Sequence, residues 1–141
     1  MKNTYQKVLV ALDVYAEQQA VLNKALALAG SSSKLYLVYV TVPLVNFQPY
    51  GMAYDSDFFN EALQRSKELL ADIAQKHNIP QQQAHCPVGT PPDEIHKLAE
   101  ELDADLIVIG THGQSGLQLL LGSTANGVLH GVKCDVLAVK V

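Results

Sequence analysis

Residues 106–109 read Leu-Ile-Val-Ile and end on Gly110, a run with no polar position on either parity. A strand of that kind is buried on both faces, which in a chain of 141 residues requires helices above and below a parallel sheet. Gly110, Gly113 and Gly116 then recur three apart, so the backbone can take positive φ and bring its N–H groups close to a ligand with no Cβ in the way. Gly122, Ser123 and Thr124 add further N–H groups and two hydroxyls near the start of a helix. Strand, glycine turn and helix start together describe an anion site at the carboxyl end of a strand.

The rest of the chain alternates in the same way. Lys7–Asp13 is a short apolar strand with an acid at its carboxyl end, and positions 21, 22, 25, 26 and 29 repeat at helical spacing over Ala16–Ala29, stopped by Gly30. Lys34–Val40 is a second strand, and Thr41–Ser56 a long apolar loop. Asp57–His77 carries Phe59, Ala62, Leu63, Ser66, Leu69, Leu70 and Ile73 on one helical face. Gln83–Val88 is a weak strand in which Pro87, unable to donate to a ladder, points to the edge of a sheet. Thr90-Pro91-Pro92-Asp93 starts a helix with a Thr N-cap and a buried stripe of Ile95, Leu98, Ala99 and Leu102. After the glycine turn, a helix from about Gln118 or Ser123 to His130 and a strand from Asp135 to Val141 complete the order β-α-β-α-β-α-β-α-β.

Such alternation, joined by right-handed crossovers, implies an α/β fold: one domain over residues 1–141, an open five-stranded parallel sheet of strand order 3-2-1-4-5, and helices on both faces. The switch point then lies between strands 1 and 4, so that Asp13 and the Gly110 turn share one crevice. Cys86 and Cys134 fall beside opposite edges, too far apart to bridge, and read as reduced small apolar residues.

Two better-known phosphate motifs do not fit the turn. Five residues separate Gly116 from Gly122 and no lysine precedes Ser123, which excludes a Walker A loop; the first strand-to-helix turn, Asp13-Val14-Tyr15-Ala16, has no glycine, which excludes the dinucleotide fingerprint. The pattern instead resembles the universal stress protein family, whose nucleotide-binding members carry Gly-x-x-Gly, nine residues, then Gly-Ser/Thr in this place. Gly110, Gly113, Gly122 and Ser123 match, although the eight residues Gln114–Leu121 make this loop one residue shorter, which bears on phosphate geometry. The resemblance covers the whole chain. It implies an adenine nucleotide, ATP and with it Mg²⁺, lying against Asp13, with main-chain groups near Val40 and Thr41 on the base. It also implies a homodimer paired through the C-terminal strand, whose Val136, Leu137, Val139 and Val141 form a hydrophobic edge.

Between Leu106 and Val132 there is no Lys or Arg, so phosphates would be held by the N–H groups of Gly113, Gln114 and Ser123 and the hydroxyls of Ser123 and Thr124. Those donors suit ground-state binding; phosphoryl transfer also calls for a cationic clamp. The expectation is therefore a nucleotide-binding regulatory protein rather than an enzyme. An interaction module acting through the apolar 41–56 loop and a slow ATPase or phosphotransferase are the alternatives. Asp13 also has the residue type and place of a helix N-cap, and His112 either touches phosphate or points into solvent. The other histidines lack metal-ligand spacing, and no metal is expected. A net charge of -4 without a basic run argues against nucleic acid, and Pro43, Asn46, Gln48, Pro49 and Gly51 interrupt the uncharged stretch 35–54 before it could span a membrane. The N-terminus moves directly into a strand, so a cytoplasmic location is expected.

Overall fold

The computed structural model describes residues 5–43, 56–110 and 125–140. In order these hold β1 (Val8–Ala11), α1 (Gln19–Ala29), β2 (Leu35–Val38), α2 (Ser56–Lys76), β3 (Ala84–His85), α3 (Pro91–Leu102), β4 (Leu106–Gly110), α4 (Ala125–Leu129) and β5 (Asp135–Val139), with turns of 3-10 helix at Ser32–Lys34 and Gln81–Gln83. The five strands form one parallel sheet in the order β3-β2-β1-β4-β5, as the alternation implied.

Period-2 alternation sorts each strand between two cores. Val8, Val10, Leu35, Leu37, Leu106 and Val108 pack with Val21, Leu22 and Ala25 of α1 and Leu70 and Ala74 of α2. The opposite parity, Leu9, Val38, Ile107 and Ile109, packs with Ile95, Leu98 and Ala99 of α3 and Val128 of α4. Val8, Leu9, Val10, Ile107 and Val108 are fully buried, which is why β1 and β4 tolerate no polar residue on either face.

Several local expectations change. Helix α1 begins at Gln19 rather than Ala16, because residues 13–18 form a turn of their own. The Asp13 carboxylate accepts the Tyr15 N–H at 2.9 Å, the Ala16 N–H donates to the Asp13 carbonyl at 3.1 Å, and the Gln18 amide donates to the carbonyls of Asp13, Val14 and Ala16. Leu26 is 42% exposed, since it lies at the outer margin of the arc that Val21, Leu22, Ala25 and Ala29 bury. Thr90 occupies the N-cap of α3 without a side-chain capping bond; Pro91 and Pro92 have no N–H, which removes two of the donors a cap would serve. β2 stops at Val38 and β5 at Val139.

Pro87 does accompany the sheet edge, but for a different reason. Tyr39 donates to the His85 carbonyl at 3.0 Å and Thr41 to the Pro87 carbonyl at 2.9 Å, so the missing Pro87 N–H falls on the β2 side of the ladder. The pairing is interrupted there and resumes as the single Thr41–Val88 bridge, which leaves β3 two residues long.

Candidate functional site

The carboxyl ends of β1, β2 and β4 converge. Ala11 pairs with Val38 on one side and with Ile109 on the other. Extending both registers places Asp13 level with Val40 and one residue beyond Gly110, which ends β4 as a buried residue paired with Val139. Asp13 and Gly110 thus meet at the switch point, where the chain turns from building the β2–β3 half of the sheet to building the β4–β5 half.

The two candidate base contacts just beyond β2 differ. The Thr41 N–H donates to Pro87 and its carbonyl accepts from Gly89 at 2.9 Å, so both groups are turned towards β3. Val38 is turned the other way and accepts the Leu12 N–H at 2.9 Å. Alternation along a parallel strand therefore aims the N–H and carbonyl of Val40 towards β1, beyond the last residue by which β1 reaches β2. By that alternation the N–H and carbonyl of Val40 face the end of β1, whereas Thr41 Oγ1 lies 3.9 Å from Cys86 Sγ.

Asp13 does not cap α1. It caps the turn through Tyr15, and that bond fixes an aromatic pair which the sequence patterns left unnoticed. The Tyr15 and Tyr39 rings stand edge to face, 6.0 Å between centroids and 73° apart. The Tyr15 hydroxyl lies 2.8 Å from Ser66 Oγ, which itself donates to the Ala62 carbonyl one turn back in α2 at 3.1 Å. Burial first, and then the negative charge of Asp13, pushes the Tyr39 phenol up to about 12, so it stays neutral beside the crevice at physiological pH. Burial also raises the thiols of Cys86 and Cys134, which are unbridged at opposite edges of the sheet.

His112, Gly113, Gln114, Gly122, Ser123 and Thr124 lie outside the described residues, as do Gly116, residues 44–55 of the apolar loop, the proposed earlier start of the last helix, and Val141. Among the described residues no group of His, Cys, Asp and Glu is placed to hold a metal ion, and no helix is long and apolar enough to cross a membrane.

Residues 4–140 match the profile of the Universal stress protein family. The chain belongs to that family. A curated member, Universal stress protein A homolog 2 of Coxiella burnetii, is 37% identical over 142 residues, covering 99% of this chain and 97% of that protein. The solved universal stress protein UspA from Lactobacillus plantarum shares the fold with a TM-score of 0.72 at 20% identity, over 98% of this chain and 99% of the other. A universal stress protein solved in complex with cAMP aligns with a TM-score of 0.54 at 25% identity, over 97% and 98% of the two chains.

Proposed function

We propose that this universal stress protein binds an adenine nucleotide, ATP in its working form, in the crevice between Asp13 and Gly110, and acts through the bound state rather than through turnover. The observation that carries the reading is the register of β1, which sets Asp13 level with the outward-turned Val40 and beside the end of β4. The N–H and carbonyl of Val40 complement the donor and acceptor edge of adenine, and the Asp13 carboxylate suits ribose hydroxyls. The similar structure with cAMP supports the ligand class.

For the triphosphate, the sequence supplies the neutral donors of Gly113, Gln114, Ser123 and Thr124 and no cation between residues 106 and 132. Mg²⁺ bound with ATP would offset phosphate charge, and Asp13 places a carboxylate at this end of the sheet. An arginine finger alone is worth roughly 10³ to 10⁵ in rate, so a site without such a group is a poor phosphoryl-transfer catalyst.

Calorimetry with ATP tests the reading. Binding should be measurable for the unmodified protein and lost in Gly113→Val or Gly122→Val, each of which sets a branched side chain in the glycine turn. Failure of the unmodified protein to bind any adenine nucleotide would leave a module acting through its apolar loop. Steady turnover above roughly 1 s⁻¹, the lower end for kinases, would make it an enzyme.

A further inference from the structure

We propose that Tyr15 forms one wall of the base site and holds the nucleotide by stacking, so that it sets the preference for ligands that carry an aromatic base. The inference rests on the adenine-nucleotide reading above and goes beyond it. A base that pairs edge-on with the N–H and carbonyl of Val40 continues the β2 ladder, so its ring lies close to the plane of the sheet and its two faces look towards the two helix layers.

On the α1–α2 side of that plane stands Tyr15, two residues beyond Asp13. Its main-chain N–H is held by Asp13 at 2.9 Å, its hydroxyl by Ser66 of α2 at 2.8 Å, and its ring by the edge-to-face contact with Tyr39. Three restraints from three elements fix the ring, yet it remains 40% exposed. An aromatic ring that served only as core would be covered; one that is immobilised and half open has already met the ordering cost of receiving a flat ligand. What the Tyr15 ring offers is a π-face, and every purine has one to match it.

Base-on-aromatic stacking predicts that Tyr15→Ala weakens ATP binding about 5- to 100-fold, while Tyr15→Phe stays within about threefold of the parent. The chain has no tryptophan, so Tyr15→Trp places a single reporter at the wall. Its emission should be quenched as ATP saturates the site and should not change with inorganic triphosphate, a difference that a purely structural tyrosine would not produce. Parent-like ATP binding by Tyr15→Ala, or unquenched emission from a Tyr15→Trp protein that calorimetry shows to be saturated, overturns the inference and leaves the nucleotide reading standing. Absence of ATP binding by the unmodified protein overturns both.

Discussion

Asp105 and Lys7 hold each other at the amino ends of β4 and β1: the Asp105 carboxylate accepts the Lys7 N–H at 3.0 Å, and the Asp105 N–H donates to the Lys7 carbonyl at 3.0 Å. The second carboxylate oxygen accepts the Gln6 N–H at 2.9 Å. The pair fixes the offset between the two strands whose other ends carry Asp13 and Gly110, so the crevice is aligned from the far side of the sheet. Hydrogen bonds to a charged acceptor contribute about 1.5–3 kcal/mol each at most. Asp105→Ala should lower unfolding stability by about 2–3 kcal/mol in urea denaturation, and Asp105→Asn, which keeps one acceptor oxygen, by about half as much.

Helix α4 follows the glycine turn and rests on the first turn of α3. A Cβ on Gly127 would stand 2.7 Å from Pro92 Cγ and 2.8 Å from Pro92 Cβ, atoms of a ring that cannot swing aside. His96 Nε2 lies 2.7 Å from the Val128 carbonyl and binds the same two helices. Overpacking of this sort costs typically 1–3 kcal/mol. Gly127→Ala should therefore lower the thermal midpoint by about 3–10 °C. Because the shift displaces α4 from α3 at the exit of the glycine turn, ATP affinity measured well below that midpoint should fall as well.

The sheet order was legible because apolar runs bounded by Gly, Pro and Asn punctuate this chain clearly, and an Asp at the end of one strand with glycines at the end of another allow few arrangements. Local capping was less so. Asp13 has the residue type of an N-cap, but its carboxylate is taken by Tyr15, and only the folded turn reveals that α1 starts at Gln19. Pro87 correctly accompanied an edge, yet the side of the ladder it interrupts depends on which carbonyls Tyr39 and Thr41 reach. At the site, Asp13 could be named from the end of its strand, and Val40 from the family resemblance. Tyr15 could not, since nothing in periodicity joins a turn after β1 to Ser66 in the middle of α2.

His85 should make the fold sensitive to acid. Its Nε2 is buried with no hydrogen-bond partner among the described residues, in the cleft that Lys67, Glu94, Lys97 and Glu101 also line. Burial lowers its pKa from 6.5 and outweighs the opposing pull of Glu101. The folded state therefore favours the neutral ring, and stability is full above pH 6.5. As pH falls below that value the unfolded chain takes up the proton first and stability declines, with a slope of at most about 1.4 kcal/mol per pH unit for one proton. His77 is shifted in the same direction by its own burial and by Lys76, so the comparison that isolates His85 is denaturation of the parent and of His85→Leu between pH 7 and about 5. The variant should show the shallower decline; parallel curves would assign the acid sensitivity elsewhere.

β5 leaves one more question of assembly, because it pairs only with β4 and its outer side is an open edge among the described residues. Val136 and Leu137 are half-buried there and Ala138 is exposed, a short apolar edge with Asp135 alone as a charged guard at its start. That carboxylate accepts the Tyr5 hydroxyl at 2.5 Å, an exposed hydrogen bond. Long or apolar edges left uncovered invite another strand, and a two-fold axis lets the same edge cover itself. We propose a homodimer joined through β5. Sedimentation equilibrium at micromolar concentration should return twice the mass of the chain, and Ala138→Asp, which places two carboxylates across the axis, should return the monomer while Asp13 and the crevice at the sheet's centre keep their nucleotide. A monomeric parent protein at that concentration would overturn the pairing.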